Sequence, residues 1–180
     1  MQIAIHQFSR DGGWDQPPDA ALDSATTAVF VFAGPLCPAL EQALGDLHRA
    51  FPNAHLIGCS TAGEICGCHL DDDTVTVAVA RFAQARLASA RASLGEGRDA
   101  RAAGRELART LAGPDLRGVF VLADGLAVNG SELARGLAEE LPPGLPVSGG
   151  LAADGDRFGQ TWVIAGGEPQ AGCIAAIGFY

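Results

Sequence analysis

Residues 56–69 read Leu-Ile-Gly-Cys-Ser-Thr-Ala-Gly-Glu-Ile-Cys-Gly-Cys-His, which puts three cysteines, one carboxylate and one histidine into a single short stretch. Three chemistries fit such a set: a metal site, a nucleophile, or a turn that holds a ligand. Zinc knuckles space their cysteines C-x2-4-C, whereas Cys59, Cys66, Cys68 and His69 give C-x6-C-x-C-H, a poor zinc pattern. The C-x-x-C-H spacing of covalent haem attachment is absent as well. A nucleophile elbow requires G-x-S-x-G between a strand and a helix, and Gly58-Cys59-Ser60-Thr61-Ala62 ends in alanine. Cys59 or Ser60 would be the nucleophile, yet no histidine is placed by the sequence to act as its base. Gly and Ser after a strand are also ordinary turn chemistry. The surrounding elements have to decide.

Those elements come in two copies. Residues 29–64 and 119–154 each begin with a Val/Phe-rich run that reads as a buried strand. Each passes through a loop into a helical segment, then a proline, a short apolar run and a Gly/Ser-rich turn. The offset of 90 residues sets Gly58 on Ser148, Cys59 on Gly149, Ser60 on Gly150 and Glu64 on Asp154. Leu40, Leu44, Leu47 and Phe51 follow one helix face in the first copy. Leu133, Leu137 and Leu141 do so in the second, with Asn129 or Ser131 as its cap. Strand–helix–strand units of this length predict parallel pairing with a right-handed crossover.

Between the copies, Val75, Val77 and Val79 alternate with small or polar residues, which predicts a half-buried strand. Residues 86–93 read as a second strand antiparallel to it. Residues 97–113 read as a helix with Ala103, Leu107 and Leu111 inward and arginines outward. Residues 161–164 and 173–179 flank a hairpin. The fold class expected is α/β: one mixed sheet built from two repeated βαβ-like units with added antiparallel strands, in a single domain over 1–180.

Composition narrows the function. Hydrophobic residues make up 48% and charged residues 18%, so a packed core is expected rather than disorder. A net charge of −9 disfavours nucleic acid and anionic membrane surfaces as partners. The first ten residues lack a signal peptide's basic start and long apolar run, and no stretch reaches the ~20 apolar residues of a membrane span. Five cysteines without an export signal predict reduced thiols in a cytoplasmic protein.

With this frame, residues 58–64 read as strand, small turn and helix start, because Thr61 and Glu64 stand at capping-box spacing. Unpaired N–H groups and the helix dipole at such a start favour a negative group. Open α/β sheets bind ligands at the carboxyl ends of their strands, and Asp124 follows the second copy's first strand at the same edge. The expected ligand pocket draws on Gly58, Cys59, Ser60, Thr61, Glu64, Asp124, Asn129, Gly149, Gly150 and Asp154. No metal is expected. His6, His48, His55 and His69 each read as surface or core residues.

Four stretches in order, HLIGCSTAGEI (55–65), TVTVAVARF (74–82), VFVLADGLAVNGSELARGLAEELP (119–142) and PVSGGLAADGDRF (146–158), resemble the N-terminal half of the FIST sensory domain. The resemblance covers the chain from about Ala28 to Tyr180. It implies a non-catalytic, intracellular bacterial or archaeal sensor for a small ligand, with amino acids as the ligand class. It also implies an output partner: a histidine kinase, a cyclic-di-GMP enzyme or a chemotaxis receptor. Members of this family are normally followed by a FIST C-type half, which this chain lacks; that half is an expected partner. Some members are haem proteins that sense nitric oxide, so a haem-based sensor is the alternative, although no ligating residue transfers to a position here. An enzyme using Cys59 or Ser60 is the third reading.

Overall fold

The structure, a computed structural model, describes residues 1–94 and 99–180. The first half of the chain runs through β1 (Gln2–Ser9), β2 (Gly13–Trp14), β3 (Thr27–Ala33), α1 (Leu40–Ala50), β4 (His55–Ser60), β5 (Glu64–Cys66), β6 (His69–Asp71) and β7 (Val75–Arg81). The second half runs through β8 (Leu87–Ser93), α2 (Ala100–Leu111), β9 (Gly118–Ala123), α3 (Gly130–Glu140), β10 (Val147–Leu151), β11 (Val163–Ala165), β12 (Glu168–Gln170) and β13 (Cys173–Phe179). Gly97 and Arg98, the first residues of the helix expected at 97–113, lie outside the described residues.

The strands form two principal sheets rather than one. The first has the order β12-β11-β4-β3-β7-β1-β2 and the second β10-β9-β13-β8, while β5 and β6 make a separate ribbon. Each principal sheet holds one parallel pair, β3–β4 or β9–β10, flanked by antiparallel strands. Residues 29–64 and 119–154 each supply a strand, a helix and a parallel strand, but each set builds its own sheet. Strand β8 accordingly does not pair with β7. It crosses to the second sheet and lies antiparallel to β13. The C-terminal hairpin also divides: β11 pairs with β12 in the first sheet, and β13 sits centrally in the second.

Burial follows from this layering. Helix α1 covers the outer face of the first sheet through Leu40, Ala43, Leu44 and Leu47. Helices α2 and α3 cover the outer face of the second through Leu107, Leu111, Leu133 and Leu137. The inner faces pack on each other through Ile57, Cys59, Leu122, Val163 and Ile177. Phe30 and Phe120, ninety residues apart, meet edge-to-face between the sheets at 5.2 Å. Strand β7 thus has both faces covered, and Thr76 and Ala80 are buried along with Val75, Val77 and Val79. The half-buried strand expected from its alternation becomes a central strand of a sandwiched sheet. No helix among the described residues is long and apolar enough to cross a membrane.

The register of the two parallel pairs refines the repeat. Val31 lies opposite Gly58, and Val121, its counterpart at the 90-residue offset, lies opposite Gly149. The equivalent of Gly58 is therefore Gly149 and not Ser148, an offset of 91 in this strand. Both glycines admit the neighbouring strand's carbonyl. A Cβ on Gly58 would fall 2.1 Å from Val31 O, and one on Gly149 would fall 1.7 Å from Val121 O.

Candidate functional site

Four turns converge at the carboxyl edge of the β3–β4 pair. Residues 34–35 follow β3, 61–64 follow β4, 72–73 precede β7, and 154–157 arrive from the end of β10. They line a cavity of about 260 Å³. The two halves meet here through the backbone, since the Ala153 N–H donates to Ser60 O at 2.9 Å. The cavity wall carries five carboxylates, Glu64, Asp72, Asp73, Asp154 and Asp156, against one guanidinium, Arg157. Among the described residues no salt bridge involves Arg157. Asp73 and Phe158 bend these turns with left-handed φ values of 59° and 47°.

Glu64 is the deepest of the five, 2% exposed. The Thr61 hydroxyl donates to its Oε1 at 2.5 Å, and the Thr74 N–H and hydroxyl donate to its Oε2 at 3.3 and 3.4 Å. Burial pushes this carboxyl above its ordinary value, the Thr61 and Thr74 bonds pull it back, and nearby Asp72 adds to the rise. Asp154 is set in the opposite direction. The N–H groups of Gln160 and Gly159 donate to its Oδ2 at 2.9 and 2.6 Å and hold it below the ordinary range.

The structure brings Thr61, Glu64 and Asp154 of the expected set together in this cavity and sends the others elsewhere. Gly58 lies within β4. Cys59 points between the sheets, and burial pushes its thiol up to about 12. Ser60 is fully buried, and its hydroxyl accepts the Trp162 N–H at 3.2 Å. Neither is set up as a nucleophile. Asp124 ties loops together: Leu126 and Ala127 N–H, the Thr161 hydroxyl and the Gly172 N–H all donate to it. Burial raises this carboxyl, and the four donors outweigh burial and hold it below its ordinary value. Asn129, rather than Ser131, caps α3, its side chain accepting the Glu132 N–H. Gly149 and Gly150 lie in β10, and neither lines this cavity.

The helix expected after Ser60 does not form. The Thr61–Glu64 contact exists, but the chain continues as the β5–β6 ribbon, in which Cys66 pairs with His69. The backbone anion site expected at a helix start after Ser60 is therefore not formed. Cys66, Cys68 and His69 stay on the ribbon, away from buried Cys59. Among the described residues, no three His, Cys, Asp or Glu side chains are grouped to hold a metal. Of the histidines, His6 is buried, and its Nδ1 stands 3.0 Å from Gln16 O. His55 Nδ1 meets the Ser89 hydroxyl at 2.8 Å.

Asp72, Asp73, Asp156 and Arg157 were not in the expected set. The acidic run 71–73 and the Asp-Gly-Asp-Arg turn at 154–157 are visible in the sequence, but only the fold puts them on one cavity.

No curated protein matches the chain. The profile of one family of sensory domains matches residues 27–180, from the start of β3 to the end of the second sheet. The chain belongs to the FIST N domain family.

Proposed function

We propose that this chain is a small-ligand-binding sensory module and that its ligand, an amino acid or a close relative, sits in the acidic cavity between the turns at 61–64 and 154–157. The observation that carries this is the cavity's composition: five carboxylates and a single guanidinium, contributed by turns from both halves of the chain. An ammonium group is matched by the carboxylates of the wall, and a carboxylate is matched by Arg157. At about 260 Å³ the cavity falls just under the range that holds drug-sized ligands, which suits a metabolite. Each charge-assisted hydrogen bond is worth roughly 1.5–3 kcal/mol. After the cost of immobilising the ligand, a few such bonds give micromolar to millimolar affinity.

The signal follows from where the ligand sits. With the cavity empty, like charges on the two turns repel one another. A bound ammonium group neutralises them and favours the conformation in which the turns lie close. No catalytic step is needed. The output passes to a FIST C-type half, a histidine kinase, a cyclic-di-GMP enzyme or a chemotaxis receptor in the cytoplasm.

The test is calorimetry with free amino acids, their deaminated acids and their decarboxylated amines. Glu64→Gln is expected to weaken binding of the amino acid and the amine more than that of the acid. Arg157→Ala is expected to do the reverse. If no amino acid or amine binds, or if Glu64→Gln binds all three as the parent does, the assignment of this cavity is wrong.

A further inference from the structure

We infer that the outer edge of β10 is a docking site for an extended, uncharged segment of a partner protein, bound antiparallel and carrying a branched apolar side chain opposite Gly149. The chain contains its own template for this contact. In the first half the outer edge of β4 is closed by β11, with Ile164 opposite Gly58. The Ser60 N–H donates to Trp162 O at 3.0 Å. Ile164 is fully buried in the cluster that holds Leu40, Ala43, Leu44 and Leu47 of α1. Gly58 leaves the room for it, since a Cβ there would lie 2.9 Å from Ile164 Cδ1.

The second half repeats every part of this arrangement except the closing strand. Gly149 stands for Gly58, and α3 stands for α1, with Leu133, Ala134 and Leu137 at the 90-residue offset from Ala43, Leu44 and Leu47. Among the described residues no strand pairs with the outer side of β10. All of its residues are exposed, Val147 to 44% and Leu151 to 48%. Where the first half places Ile164, the second half has a cavity of about 180 Å³, walled by Val121, Leu133, Ala134, Leu137, Val147 and Leu151.

The backbone is in phase for pairing. Val119 N–H donates to Pro146 O and Ala152 N–H donates to Ala123 O, so the even-numbered residues here bond to β9. The N–H and C=O groups of Val147, Gly149 and Leu151 therefore face outward, as those of Gly58 and Ser60 do in the first half. The strand has no charge, proline or bulge of the kind that guards exposed edges. Backbone pairing supplies affinity in such strand addition, and the side-chain pocket supplies selectivity. The pocket is apolar, so it selects against a charged residue. A second copy's β10 fits badly. In the two-fold register that pairs the whole strand, Gly149 faces Gly149 and the pocket stays empty.

The experiment adds a synthetic peptide with the sequence of residues 160–166, Gln-Thr-Trp-Val-Ile-Ala-Gly, to the intact 15N-labelled protein. Saturable binding is expected, with slowed amide exchange at Val147, Gly149 and Leu151. A peptide carrying Ile164→Asp is expected to bind at least about tenfold more weakly. A Val147→Lys/Leu151→Lys double variant of the protein is expected to lose binding while keeping the parent's melting temperature. The proposal is overturned by no binding up to about 1 mM, by equal binding of the two peptides, or by exchange changes at Gly58 and Ser60 instead. It is also overturned if the parent sediments as a dimer that the double variant dissociates, which would assign the edge to a second copy.

Discussion

Three glycines on two equivalent strands provide a graded test of the fold. Gly58→Ala places a methyl 2.1 Å from Val31 O and 2.9 Å from Ile164 Cδ1. An ordinary contact needs about 3.4 Å, so β4 would have to move by over an ångström. It is held on both sides, by β3 and by β11. Overpacking a core costs about 1–3 kcal/mol, and a site that cannot relax exceeds that. We expect about 4 kcal/mol, near the upper limit for single substitutions. Gly149→Ala meets Val121 O at only 1.7 Å and also loses a favourable φ of 142°. Yet β10 is an edge strand and can swing away, so about 2–3 kcal/mol is expected despite the closer contact. Gly150→Ala meets nothing within 4 Å. It should be neutral, or stabilise by about 0.5 kcal/mol through the unfolded chain. For a domain of this size 1 kcal/mol moves Tm by about 2–4 °C. The three variants should therefore melt about 8–16 °C below, about 4–12 °C below and within about 2 °C of the parent. Thermal unfolding followed by circular dichroism measures this. If Gly58→Ala melts with the parent, or Gly150→Ala proves the worst, the strand register and the closeness of the paired backbones are wrong.

The remaining expectations concern titration and reactivity. Because burial raises the Glu64 carboxyl, the folded state penalises its charge, and the parent should lose stability relative to Glu64→Gln as pH rises from 4.5 through the folded value; urea midpoints at a series of pH values read this out, and a parallel pair of curves contradicts it. Asp124 is lowered, so its contribution is present above pH 3.8 and is lost as pH falls through the folded value. Asp124→Ala strands four donors and should cost about 3–5 kcal/mol at neutral pH; a variant within about 1 kcal/mol of the parent rules out the latch. Exposed Cys68 should react with iodoacetamide in the native protein, whereas Cys59, with its thiol near 12, should be alkylated only on unfolding, as peptide mass spectrometry would show.

Much of the fold is legible where a local period reports burial. The leucines at 40, 44 and 47 and at 133, 137 and 141 face the sheets as their spacing predicts. Sheet membership is not local. Strands β7 and β8 are joined by a short turn, the usual mark of a hairpin, yet they enter different sheets, because each repeat needs an antiparallel strand beside its own parallel pair. The misread helix after Ser60 has a similar origin. Thr61 and Glu64 have capping-box spacing and do touch, but no apolar period follows to sustain a helix; Ile65 is exposed on a ribbon instead. The cavity was half legible for the same reason. Thr61, Glu64 and Asp154 belong to the repeat, which marks them in the sequence. Asp72, Asp73, Asp156 and Arg157 reach the cavity only through the packing of four separate turns.

The central place of β13 in the second sheet also sets an order of events during synthesis. Strands β8 and β9 do not touch each other as neighbours; each bonds to β13, which leaves the ribosome after both. The first sheet can join β1, β3, β4 and β7 once residue 81 has emerged, whereas the second cannot close until residue 179 is free. Through that interval β8 and β9 present unpaired edges, the condition under which nascent chains mispair and aggregate. A nascent chain of which only residues 1–172 had emerged would thus hold one finished sheet beside an unjoined one.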